Sequence, residues 1–294
     1  MPIYDQSYRH WEGTLKSRTF RWWVIASRGI RNATKKRIFM FLLFLALIMF
    51  VLSAAYIIAT TGFFGTIATK YGLSIPDRLI LELEDYPRFF EFFLGRQTIF
   101  IVILTLYAGA SLIANDMRGN ALVFYLARPI TRLDYIAGKL AVIILIMFTV
   151  SLAPALLLYL LKFAFSPKLE FIKTLYWVFF SIIGYSLFIG FFFGLFMLLF
   201  SATNRNPRDA ALKFVGAFFV SDILSLLVVK ITRVKAFQCL SLKNDLLQVL
   251  GRFFGTEPRS DHIPFPLEFI IPLAIMAFCL WAVFRKIEQA EGVG

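Results

Sequence analysis

Apolar residues in this chain gather into six long runs: Ile38 to Thr60, Thr98 to Asn115, Leu140 to Phe165, Leu175 to Ala202, Ala210 to Val229 and Leu267 to Phe284. Each approaches or exceeds the roughly 20 residues that an α-helix needs to cross a bilayer core. The pattern predicts an all-α polytopic membrane protein with about six transmembrane helices. The fifth run contains Asp222, and the sixth starts beside Pro264, Pro266 and Glu268 with Pro272 inside it. From Thr14 to Lys36 the period changes. Apolar Trp23, Ala26, Ile30 and Ala33 recur at spacings of three and four, while Arg21, Arg28, Arg31 and Lys35 recur on another face. This predicts an amphipathic helix in the membrane interface, with Trp22 and Trp23 at headgroup depth and Arg28 and Arg31 turned to anionic lipid. The plainer alternative is a basic flank running into the first span. The expected organisation is an N-terminal segment over 1–37, a six-span domain over 38–284 and a tail over 285–294. There is no internal repeat or low-complexity tract.

Composition supports this picture. The 294 residues are 59% hydrophobic and 17% charged with mean hydropathy +0.75, against roughly 25% charged in an ordinary soluble domain. The excess apolar surface needs lipid to cover it. A net charge of +13 in a soluble protein would suggest nucleic acid. Here the bases flank apolar runs, where they meet anionic lipid and fix topology, so lipid and not nucleic acid is the expected partner. The first apolar run begins late and exceeds the length of a signal-peptide core, so no cleaved leader is expected. Cys239 and Cys279 stand alone and build neither a disulfide framework nor a thiolate metal site.

Lys/Arg asymmetry sets the expected orientation. The N-terminal segment carries nine bases from Arg9 to Arg37 against Asp5 and Glu12, which places it in the cytosol. Six spans return the C-terminus to that side, in what is expected to be a bacterial cytoplasmic (inner) membrane. The loops containing Arg118, Arg128, Arg132 and Lys139, and Arg205, Arg208 and Lys213, fit the same side. The loop from Thr61 to Gln97, with five acids against four bases, fits outside. The loop from Lys230 to Ile263 is placed outside although it carries six bases, and counts against this topology.

The most informative segment lies between the second and third runs, Asp116 to Lys139. Gly119 is suited to the left-handed conformation that ends a helix. Asn120 can cap a short helix on which Leu122, Tyr125 and Leu126 share a face. Pro129 stops that helix and holds Arg128 extended. Thr131 with Asp134 three residues later is a capping-box start for the third span. A short helix with an apolar knob and basic flanks could seat in a partner's groove and transmit a displacement. It could equally lie on lipid, with Arg128, Arg132 and Lys139 as topology anchors.

Through Asp116, Gly119, Asn120, Leu122, Pro129, Ile130, Thr131, Arg132, Gly138 and Lys139, this segment resembles the cytoplasmic loop of type-2 ABC transporter permeases. It departs from that pattern in having Asp116 where Glu is commoner, with a shorter gap to Gly119, and Asn120-Ala121 where the pattern has Thr. The six-span layout and the N-terminal interfacial helix are also similar to that family. The resemblance implies a dimeric permease, paired with a second copy or a paralogue and usually an exporter. Asp116, Gly119, Leu122, Tyr125, Leu126, Arg128, Pro129, Thr131 and Arg132 would couple it to a separate nucleotide-binding ATPase subunit. ATP and Mg would be bound by that partner. The chain has no G-x-x-x-x-G-K-[ST] phosphate loop of its own.

Other residues carry less. Asp222 within the fifth run would cost about 2.5 to 3.5 kcal/mol to insert, so it faces either a substrate path or a polar contact with Ser221 and Ser225. Gly109, Ala110, Gly184, Gly190 and Gly194 permit close helix packing. Pro76 to Arg96 could form a short helix over the membrane entrance. A membrane-embedded enzyme would need convergent acids, histidines or a metal. The only histidines, His10 and His262, lie outside the runs, and neither HExxH nor GxSxG occurs. A secondary transporter would predict inverted repeats and several intramembrane charges, and neither is evident.

Overall fold

A computed structural model describes residues 21–63, 86–119, 121, 130–165, 168–256 and 265–291. Among them there is no strand. Helix α1 (Arg21–Thr34) precedes α2 (Arg37–Ile57), which a π-helical turn over Ile58–Phe63 prolongs. There follow α3 (Tyr86–Arg118), α4 (Arg132–Val150), α5 (Leu152–Phe165), α6 (Lys168–Thr203) and α7 (Pro207–Thr232). A short 3-10 helix (Lys235–Leu240) leads into α8 (Leu242–Phe253), and α9 (Phe265–Glu291) is last. Six segments are long and apolar enough to span a membrane: α2, α3, α4 with α5, α6, α7 and α9. The protein is an all-α polytopic membrane protein.

The spanning helices begin earlier than their apolar runs, most of all the second. The second starts at Tyr86 rather than Thr98, so its 33 residues are about 50 Å long at 1.5 Å each, well beyond a hydrocarbon core of about 30 Å. The part of the expected outer element from Tyr86 to Arg96 is therefore the start of the span itself, while residues 76–85 lie outside the described residues. Its charges are accommodated on the helix: Glu91 is buried and the Arg96 guanidinium lies 4.4 Å from the centre of the Phe92 ring. The third span begins at Arg132 and is interrupted at Ser151. Pro154 has no N–H to donate to the preceding turn, and the Ser151 hydroxyl caps the Met147 carbonyl at 2.9 Å.

The second, third and fourth spans form the centre. Within their apolar windows 56%, 44% and 67% of residues are buried, against 11%, 17% and 22% for the first, fifth and sixth. Small residues let the central helices approach: a Cβ on Gly109 would stand 2.5 Å from Met197 Cγ, and one on Gly194 2.6 Å from Leu140 Cδ1. Where the second and fourth spans cross, the buried Ser201 hydroxyl accepts from the Ile113 and Ala114 amides at 2.9 and 3.0 Å and donates to the Ala110 carbonyl at 3.0 Å. One side chain thus inserts into the backbone ladder of another helix. Elsewhere aromatic rings fill the core, as where Phe193, Phe196 and Phe200 meet Phe214.

The two ends of the bundle differ. At the end where α3 finishes, α1 lies against the start of α4. At the end where α3 begins, α8 turns back into the bundle against α3, α6, α7 and α9. Ser241 caps α8 by accepting from the Asn244 amide, and Leu242, Leu246, Val249 and Leu250 form its buried face. Gly255, with φ +61°, follows the helix in the left-handed region.

Candidate functional site

At the α1 end, Asp116 closes the second span onto the third. Its Oδ2 is 2.7 Å from Lys139 Nζ and accepts from the Tyr135 hydroxyl at 2.7 Å. Lys139 also donates to the Leu112 carbonyl at 2.7 Å. Tyr135 and Lys139 are four residues apart and so share a face of α4, which turns both toward the last turn of α3. The side chains of Lys139 and Asp116 are only 9% and 16% exposed, so the pair is largely withdrawn from water. Removing one partner of such a pair is much more costly than the net value of the pair.

The start of α4 is built as its sequence predicts. Thr131 Oγ1 accepts from the Asp134 amide at 3.1 Å, and the Asp134 carboxylate accepts from the Thr131 amide at 3.1 Å. Arg132 reaches Glu288 near the end of α9 at 3.0 Å. Both side chains are substantially exposed, and such an ion pair contributes about 0–1 kcal/mol. Gly119 departs from expectation. It is not in the left-handed region; its amide still donates to the Asn115 carbonyl at 3.0 Å, so α3 runs out to it without a reversal. Leu122, Tyr125, Leu126, Arg128 and Pro129, like Asn120, lie outside the described residues.

Gly138 has a role that its own neighbourhood does not reveal. A Cβ there would be 2.8 Å from Ile25 Cβ and 2.9 Å from the Trp22 carbonyl oxygen. On α1, a Cβ on Gly29 would run into the Val142 side chain. Two missing side chains therefore let α1 lie directly on α4. The inward face of α1 is Trp22, Ile25, Ala26, Gly29, Ile30 and Ala33, with Ala26 fully buried. Trp23, assigned from spacing to the apolar face with Ala26, is 48% exposed and stands edge-on to Trp22 at 5.8 Å. One side of the helix is covered by protein, which shifts the buried stripe by one residue from an interfacial reading. Arg28 and Arg31 are exposed.

Asp222 lies toward the opposite end. Its Oδ1 accepts from the Ser241 hydroxyl at 2.7 Å, Ser221 Oγ accepts from the Leu242 amide at 3.4 Å, and Ser225 donates to the Phe237 carbonyl at 3.1 Å. The three side chains fasten the 3-10 helix and α8 to α7. Nearby are buried polar groups without an obvious sequence signal. Glu268 is fully buried and takes two hydrogen bonds from Arg252, at 3.0 and 3.3 Å. Asp245 is 1% exposed, and among the described residues neither carboxylate oxygen has a hydrogen-bond partner. Burial, and then the Glu268 carboxylate, pushes its pKa up to about 8. Lys162, buried in the third span, lies 4.1 Å from the centre of the Tyr86 ring. Only α8 was foreseeable, from apolar residues at 242, 246, 249 and 250 after a capping Ser241.

Among the described residues, no group of three or more His, Cys, Asp or Glu could hold a metal ion. Compared with protein-family models and with curated proteins, the chain matches neither.

Proposed function

We propose that the chain is the membrane-spanning permease subunit of an ABC transporter, driven by a separate ATPase subunit through the loop 116–139. One observation supports this best: the separated elements Asp116, Thr131, Gly138 and Lys139 meet as one mechanical unit. Asp116 and Lys139 join the second and third spans, the Thr131 box fixes where the third begins, and Gly138 seats α1 on it. A push on the loop would move three helices together rather than bend one. In this reading the α1 end faces the cytosol, Leu122, Tyr125 and Leu126 form the knob, and Arg128 and Arg132 flank it. Two such chains, or this chain and a paralogue, pair through spans with free faces, while ATP and Mg stay on the partner. Leu126→Asp is expected to uncouple ATP hydrolysis from transport while leaving insertion intact; unchanged transport would overturn the assignment.

An ATP-independent transporter is the second reading. The observation that favours it is the set of buried ionisable groups Lys162, Asp245 and Glu268, the last paired with the partly exposed Arg252, which such carriers use along an ion path. Transport by the chain alone, insensitive to vanadate, would decide for it.

A further inference from the structure

Between α1 and the end of the second span lies a cleft of about 680 Å³. Among the described residues, Arg28, Lys36 and Lys139 line it together with one carboxylate, Asp116. Asp116 and Lys139 answer each other at its floor. The surplus positive charge therefore sits at the rim, on α1 and on the elbow between α1 and α2. Arg28 and Lys36 form no ion pair among the described residues. The Lys36 ammonium is positioned over the Tyr107 ring, 5.0 Å from its centre, and so is held against the second span rather than free to sweep through solvent. Asn32 and Asn115 add amide donors to the lining, and Val24, Ala108 and Ile130 give it an apolar side. Val24 is half exposed, and the outer face of the adjoining α2 presents Met40, Phe41 and Phe44.

We propose that this cleft binds the phosphate headgroup of one anionic phospholipid from the leaflet that α1 borders, with the acyl chains running down the apolar side. A phosphate diester is satisfied by several cationic and amide donors converging from different elements. A lipid suits the cleft better than a free anion because its opening adjoins apolar helix faces. The site is distinct from general attraction to a charged membrane surface, for which Arg31 on the same helix and Lys35 just beyond its end are equally available but do not line the cleft.

The test uses the purified full chain, delipidated in mild detergent and titrated with phosphatidylglycerol or phosphatidylcholine under native mass spectrometry. One phosphatidylglycerol per chain is expected, in preference to phosphatidylcholine. Arg28→Gln with Lys36→Gln should weaken it by about tenfold or more. Arg31→Gln with Lys35→Gln, which removes the same charge outside the cleft, should leave it unchanged. Arg28→Lys with Lys36→Arg should retain it. Equal weakening by the two neutralising pairs, equal binding of both lipids, or displacement of the lipid by equimolar inorganic phosphate would overturn the proposal. A second measurement stands beside these variants: in a chain whose Trp11, Trp177 and Trp281 are replaced by Phe, so that Trp22 and Trp23 alone report, phosphatidylglycerol brominated on its acyl chains should quench the fluorescence more than brominated phosphatidylcholine at the same mole fraction. Equal quenching would contradict it.

Discussion

Replacing Lys139 by Met keeps most of the apolar stem and removes the ammonium, which tests whether the ion pair at the α1 end joins the second span to the third. In the wild type, Nζ meets Asp116 Oδ2 and the Leu112 carbonyl, each at 2.7 Å. Without it, Asp116 keeps the Tyr135 hydroxyl and the Leu112 carbonyl loses that donor. Breaking a fully buried pair from one side costs about 3–5 kcal/mol. Asp116 retains some contact with solvent, so the expected loss is nearer 2–3 kcal/mol. For a chain of this size that corresponds to a fall of roughly 3–5 °C in apparent Tm. Fluorescence-detected size-exclusion chromatography after heating reads the shift. Lys139→Met with Asp116→Asn removes the stranded charge and should recover about half of the loss or more, giving a coupling energy of about 1 kcal/mol or more in the double-mutant cycle. Additive single losses would refute the coupling between the two side chains, and no loss from Lys139→Met would refute the structural role altogether.

Other expectations follow from single contacts. Gly138→Ala places a methyl group against the Trp22 carbonyl and Ile25, at a cost of about 1–3 kcal/mol; trypsin should then cut at Arg28 and Arg31 faster than in the wild type, and equal rates would show that α1 is not seated there. Ser201→Ala removes a hydroxyl that makes three hydrogen bonds to the second span and should lower stability by about 1–2 kcal/mol in the same thermal assay. Asp245 holds its proton in the folded chain up to about pH 8, from an ordinary value of 3.8, so folding takes up a proton between those values. Stability should therefore fall as pH rises through that window and level off above it. Asp245→Asn does not titrate, so its advantage over the wild type should grow from pH 5 to pH 8 and reach roughly 1–3 kcal/mol; a difference that does not change with pH would contradict the buried, protonated carboxyl.

How far these features could be read in the sequence depends on whether the responsible contacts are local. The six spans and the Thr131–Asp134 box rest on apolar runs and on residues three apart, and the fold bears both out. The apolar pattern places the start of the second span at Thr98 because Arg88, Glu91 and Arg96 interrupt it, whereas in the fold the helix starts at Tyr86 and Glu91 is buried among the helices at the α8 end. Gly138 could not be understood alone, since the atoms that exclude a side chain there belong to Trp22 and Ile25, more than a hundred residues away. Asp222 was legible as an intramembrane carboxylate, and its proximity to Ser221 and Ser225 was legible too. Its partner Ser241 was not, because the turn between α7 and α8 brings them together through Arg233 in the left-handed region. The basic character of the segment from Lys230 to Ile263 is offset at Arg252 by the buried Glu268, a pairing that counting charges by loop separates into two elements.

The central claim concerns energy supplied by a partner, and the most direct measurement is mild-detergent purification of the tagged chain from its native host followed by assay for ATP hydrolysis. The account predicts that a nucleotide-binding subunit comes with it, that the activity is inhibited by vanadate, and that substitution of Leu122 and Leu126 loses the partner. A chain that purifies alone, folded, and supports transport without ATP would contradict it.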